Sequence, residues 1–124
     1  MLLVDDEPMF LEALVALLEH DTRIDVVART DSGEDAVELA RTRKPDVALV
    51  DLAMPGVDGF ELTRKLIATE SAPRVVAVSG LSEARDVERA LEAGASCFLL
   101  KGDLYDEVAE TIIAVSRKAR EART

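Results

Sequence analysis

Five short apolar runs punctuate this chain, and each is followed by a longer segment with helical spacing. The runs are Met1–Val4, Val26-Val27-Ala28 within 25–30, Val47–Val50, Arg74–Val78 and Ser96–Leu100. Runs this short and this continuously apolar predict strands buried on both faces. Strict alternation of strand and helix then requires right-handed crossovers, and so an α/β fold with a parallel sheet. At 124 residues the chain makes one domain, long enough for a core without staples. We place that domain at 1–118. Residues 119–124 read as a helix end or the start of a linker, because Arg117, Lys118, Arg120 and Arg123 turn the tail basic.

The helical segments carry their own signals. The first runs from Met9 to His20, with Leu14, Leu17 and Leu18 at core spacing. Met9, Phe10, Leu11, Ala13 and Val15 add more apolar surface than one buried face accommodates, which predicts a patch for a partner. His20 falls at the helix end, where a dipole partner is expected rather than a catalyst. Ser32 and its neighbours cap a second helix that ends near Arg43 before Lys44-Pro45, with Ala36, Leu39 and Ala40 inward. A third helix spans 60–69, with Phe60, Leu62, Leu66 and Ile67 apolar. A fourth, 82–93, turns Ala84, Val87, Ala90 and Leu91 inward and Arg85, Glu88, Arg89 and Glu92 outward; so small an inner face packs lightly. Gly94 follows as its C′ residue. Asp103 caps the last helix, Leu104–Ala119, with Leu104, Val108, Ile112 and Val115 inward.

Composition removes several functional classes. A net charge of −10 repels phosphate backbones, and with no Trp and 3% aromatics there is no stacking platform for bases. The single cysteine, Cys97, excludes an intramolecular disulfide and a cysteine metal cluster, and its apolar neighbours predict a buried, inert thiol. No apolar run approaches membrane-spanning length and no signal-peptide pattern is present, so the expected location is cytoplasmic.

Four of the five runs end on a reactive polar group: Asp5-Asp6, Asp51, Ser79 and Lys101. Each has a local explanation. Asp51 opens the turn Met54-Pro55-Gly56-Val57-Asp58-Gly59, and Asp6 stands where an N-cap would precede Pro8. In a parallel sheet, however, all carboxyl ends share one edge, so these groups converge in one crevice. Acids, a hydroxyl and an amine there suit phosphoryl transfer to a carboxylate. Asp5 or Asp6, with Asp51, would hold Mg²⁺ through oxygen ligands. Lys101 would pair with a phosphoryl oxygen, and the Ser79 hydroxyl would donate to another.

On Asp5-Asp6, Asp51 with the 54–59 turn, Ser79-Gly80, Gly94-Ala95 and Phe98-Leu99-Leu100-Lys101, the sequence resembles the receiver domain of two-component response regulators. Phe98 to Asp103 and the overall spacing are most similar to the subfamily with a LuxR-type helix-turn-helix output. The resemblance implies a flavodoxin-like (βα)5 three-layer sandwich with sheet order 2-1-3-4-5. It implies phosphotransfer from a sensor histidine kinase to Asp51, with Mg²⁺ held by Asp5, Asp6, Asp51 and the backbone carbonyl of Ala53. Ser79 and Phe98 would be the switch pair, although an ordinary core role also suits Phe98. The kinase would dock on the first helix at Phe10, Leu11 and Ala13. A homodimer would form through the fourth helix, fifth strand and fifth helix, although the charged fourth-helix face equally suits plain solvation. DNA would be reached only through an output domain outside this chain. Such a protein is not an enzyme, catalysing only its own phosphorylation and dephosphorylation.

Several positions depart from the family pattern. Gly102 stands where many receivers have proline, so no cis peptide is expected and the 101–104 loop should be more mobile. Ser79 replaces the commoner threonine and keeps the hydroxyl. Ala53 and Leu81, at positions the resemblance connects with hydrolytic water, have no polar side chain and predict modest self-dephosphorylation. Other readings fit less well. A pseudo-receiver interaction module would normally lack one of the acids or the lysine. A nucleotide- or flavin-binding enzyme is disfavoured by the acids of the first turn, which repel phosphate. A haloacid-dehalogenase-type phosphatase needs an acid two residues after its nucleophile, and Asp51-Leu52-Ala53 has none. The chain is then either a stand-alone receiver or part of a transcription regulator, and the basic drift after Arg117 favours the latter.

Overall fold

The computed structural model describes residues 1–80 and 84–123. The elements are β1 (Leu2–Val4), α1 (Pro8–Glu19), β2 (Ala28–Thr30), α2 (Gly33–Arg43) and β3 (Val47–Asp51). They continue with α3 (Gly59–Ile67), β4 (Arg74–Ser79), α4 (Ala84–Glu92), β5 (Cys97–Leu100) and α5 (Leu104–Arg123). All strand pairs are parallel, in the order β2-β1-β3-β4-β5. This is the expected α/β sandwich with the expected sheet order.

Strand periodicity divides the core in two. In β3, Val47 and Leu49 face one side and Ala48 and Val50 the other; in β4, Val76 and Val78 oppose Val75 and Ala77. The first face meets Leu11, Leu14 and Leu18 of α1 and Leu104, Val108, Ile112 and Val115 of α5. The second meets Ala36 and Ala40 of α2, Leu62 and Leu66 of α3, and Ala90 of α4. One layer is thus packed with large aliphatic side chains, while the other is rich in alanine.

The structure corrects several local expectations. Leu17 is exposed and Leu11 is buried, so the inner stripe of α1 is Leu11, Leu14 and Leu18. A helix apolar nearly all round offers more than one register, and only packing against β1 and α5 selects one. β2 begins at Ala28, because Val26 packs on the core without pairing in the ladder. The N-cap of α1 is Glu7, whose side chain makes no cap bond, rather than Asp6. Ala90 is buried as expected, but Leu91 is exposed, and Ala93, just past the helix, is buried instead. Cys97 is half-buried, as an edge strand allows. Helix α5 continues to Arg123, past the expected end near Ala119. The expected start of the fourth helix at Ser82, the side chain of Ala84, and Leu81 lie outside the described residues. His20 is the C-cap residue of α1, and Ser32 caps α2 by accepting from the Asp35 amide. No helix among the described residues is long and apolar enough to cross a membrane.

Candidate functional site

The parallel sheet delivers its polar strand ends to one edge. Asp5 follows β1, Asp51 closes β3 and Ser79 closes β4; all three are buried. Lys101 follows β5, and its backbone amide donates to the Ser79 carbonyl at 2.9 Å, fastening the lysine segment to β4.

The segment after β3 is shaped to hold Asp51. Its Oδ1 accepts from the Ala53 amide at 3.0 Å. Pro55 and Gly56 form the centre of a tight turn closed by the Val57 amide on the Met54 carbonyl at 3.2 Å. Gly56 has φ +74°, which the third position of a type II turn requires. Asp58 then caps α3, with Oδ1 accepting from the Phe60 and Glu61 amides at 3.0 and 3.2 Å. At Gly59 a Cβ would stand 2.7 Å from the Leu52 Cα, so only glycine lets the helix start this close to the residue after Asp51. The Thr63 hydroxyl, itself buried, donates to the Gly59 carbonyl at 2.8 Å.

Across the crevice, the Lys101 ammonium lies 3.0 Å from Asp5 Oδ2, 3.1 Å from Asp51 Oδ2 and 2.7 Å from Glu7 Oε1. It also stands 4.5 Å from the centroid of the Phe10 ring. Burial opposes the lysine's charge, but the hydrogen bonds to Glu7, Asp5 and Asp51 outweigh it and raise its pKa above the ordinary lysine value. Asp5 is raised as well: burial disfavours its charged form, and the Glu7 amide (2.9 Å, to Oδ1) and Lys101 offset this only in part. Asp5, Asp6, Glu7 and Asp51 each offer an oxygen, and these oxygens lie within 4.8 Å of one another. Such an all-oxygen, multiply acidic set suits a hard divalent cation.

Asp5, Asp6, Asp51 and Lys101 therefore come together as expected. Ser79 lies at the same edge, one strand from Asp51: Asp51 pairs with Val78, and Ser79 with Leu100. Phe98 is half-buried and packs on the alanine-rich layer. Glu7 and the Phe10 ring are additional neighbours of Lys101. Glu7 has one sequence signal, an acid just before Pro8, which places it at the mouth of α1.

Residues 1–113 match the response regulator receiver domain. The chain belongs to that family. This receiver domain is 37% identical over 111 residues to the response regulator GacA of Pseudomonas aeruginosa, covering 90% of this chain and 52% of that protein. It is 36% identical over 116 residues to the transcriptional regulatory protein LiaR of Bacillus subtilis, covering 94% and 55%. It thus spans about half the length of these curated relatives. Among solved structures, the signal receiver domain of the response regulator NarL from Mycobacterium tuberculosis superposes with a TM-score of 0.87 at 34% identity, covering 94% of each chain. A LuxR-family two-component response regulator from Aurantimonas sp. also gives 0.87, at 31% identity over 94% of this chain and 84% of that one.

The expected docking residues of this receiver domain are split by the fold. Phe10 is half-buried and Ala13 exposed, but Leu11 is a core residue and is unavailable to a partner. Met9 and Tyr105 are exposed beside them, and the Phe10 and Tyr105 rings lie 6.2 Å apart.

Proposed function

We propose that this receiver domain accepts a phosphoryl group on Asp51 from a sensor histidine kinase. The observation that carries this reading is the Asp51 carboxylate, buried at a strand end with one oxygen on the Ala53 amide and the other 3.1 Å from the Lys101 ammonium. A carboxylate oxygen of Asp51 forms the new bond to phosphorus. The bond from phosphorus to the donor breaks, and its electron pair leaves with the donor. The Ala53 amide fixes the carboxylate's rotation, so the nucleophile is oriented before the donor arrives. The Lys101 ammonium and the Ser79 hydroxyl meet the charge on the transferring oxygens.

Asp5, Asp6 and Asp51, with the backbone carbonyl of Ala53, would hold Mg²⁺. The close-set oxygens of the acidic cluster fit such an ion. When bound it neutralises the carboxylates and the incoming phosphoryl charge. Ser79 and Phe98 carry the change outward as the switch pair. The kinase docks on α1 around Phe10, Ala13 and Met9. Any pairing with a second copy uses α4, β5 and α5. The greater length of the relatives, among them the transcriptional regulatory protein LiaR, supports an output domain that binds DNA, outside these residues.

Incubation with Mg²⁺ and acetyl phosphate, followed by intact-mass measurement, tests the reading. One added phosphate is expected on the wild-type chain and none on Asp51→Asn. Equal uptake by both would show that Asp51 is not the acceptor.

A further inference from the structure

An ammonium has three N–H donors. Among the described residues, three carboxylates surround Lys101 Nζ, those of Asp5, Glu7 and Asp51, and they match that number. A phosphoryl oxygen that takes a hydrogen bond from Lys101 must therefore displace one of them. The three are not equally displaceable. Asp5 and Asp51 are 2% and 3% exposed, so Asp5 cannot turn into water when it leaves the lysine, and Asp51 is the reacting group. Glu7 is 62% exposed and makes the shortest of the three contacts. Released from Lys101, it turns into water at little cost.

The backbone beneath the Glu7 side chain is fixed. Its amide donates to Asp5 Oδ1 at 2.9 Å, and Pro8 follows at the first position of α1. Phe10 is three residues further on, hence on the same side of the first turn, with its ring 4.5 Å from the ammonium. The first turn of α1 thus grips the lysine with a carboxylate and an aromatic face.

We propose that Glu7 is a positioning residue that holds the Lys101 ammonium in the unphosphorylated protein and competes with the arriving phosphoryl oxygen for it. This rests on Asp51 as phosphoacceptor. Glu7 thereby sets how readily the lysine is given up to the phosphoryl group, and so how fast a small phosphodonor reacts.

The test measures the rate of Asp51 phosphorylation by acetyl phosphate at saturating Mg²⁺ in wild type, Glu7→Gln, Lys101→Met and the double variant. Glu7→Gln is expected to react about two- to fivefold faster than wild type, the range a partly exposed ion pair commands. In the Lys101→Met background the same change should have no effect, which a general role in folding would not produce. A Glu7→Gln rate equal to or below wild type overturns the proposal. So does a gain that persists without Lys101, which would be the through-space effect of one charge less. Weaker Mg²⁺ binding by the double variant than by Lys101→Met, measured by calorimetry, would make Glu7 a metal ligand and likewise overturn it. No phosphate on wild-type Asp51 removes both this proposal and the reading beneath it, whereas uptake by wild type with an unresponsive Glu7 removes this proposal alone.

Discussion

Cys97 shows how much one strand's position decides about one side chain. It sits on the edge strand β5, half-covered, and burial pushes its thiol above the ordinary value of 9.0, with Lys118 pulling the other way. Only the thiolate is nucleophilic. Alkylation by iodoacetamide followed from pH 7 upward should therefore reach half its maximal rate above pH 9.0 in the folded protein, and near 9.0 in urea. The linkage has a matching sign. The unfolded chain loses this proton first, so the thiol's contribution to stability is whole below 9.0 and falls as pH rises through the folded value. A folded-state midpoint at or below that of the unfolded chain would contradict the burial argument. At this same scale, Asp5, Asp51 and Lys101 are legible from sequence, because each directly terminates a buried apolar run and the sheet does the rest. Glu7 is not. Its partner is 94 positions away, and no local pattern records which long side chain a lysine will reach.

Between elements, the contact that stands out joins α3 to α4. The Arg89 guanidinium carbon lies 4.0 Å from the centroid of the Phe60 ring. Phe60 is in the first turn of α3, two residues after the cap Asp58, so it is tied to the loop that holds Asp51. A double-mutant cycle with Phe60→Leu and Arg89→Gln should give a coupling of about 0.5–1 kcal/mol, the magnitude of such a pair near the surface. Urea denaturation measures it, and a coupling within error of zero would mean that the two side chains only lie side by side. The charged outer face of α4 is visible in the sequence, but that Arg89 turns toward an aromatic ring is not. Element boundaries show a similar division. β3 and β4 are legible almost to the residue, since unbroken apolar runs admit one reading. β2 is displaced, because Val26 and Val27 look like strand residues while lying outside the ladder. The stripe of α1 could be drawn through Leu17 as easily as through Leu11, and only the packed neighbours separate them.

At the scale of the whole molecule, the two layers that cover the sheet are unequal. The α1/α5 side buries leucine, valine and isoleucine, whereas among the described side chains of α4 the fully buried one is Ala90, with Leu91 left outside. Each buried methylene contributes about 0.8 kcal/mol, so a helix held by alanines separates from the sheet far more cheaply than one held by leucines. Local opening should follow that difference. Native-state hydrogen exchange is expected to show amides of α4 exchanging through openings of lower free energy than those around Val108 and Ile112 of α5. Equal protection would refute it. By packing alone, α4 is a lightly fastened panel and the α1/α5 side a heavily packed wall. The wall carries the larger side chains, and the panel is the part of the sandwich that its packing leaves cheapest to lift.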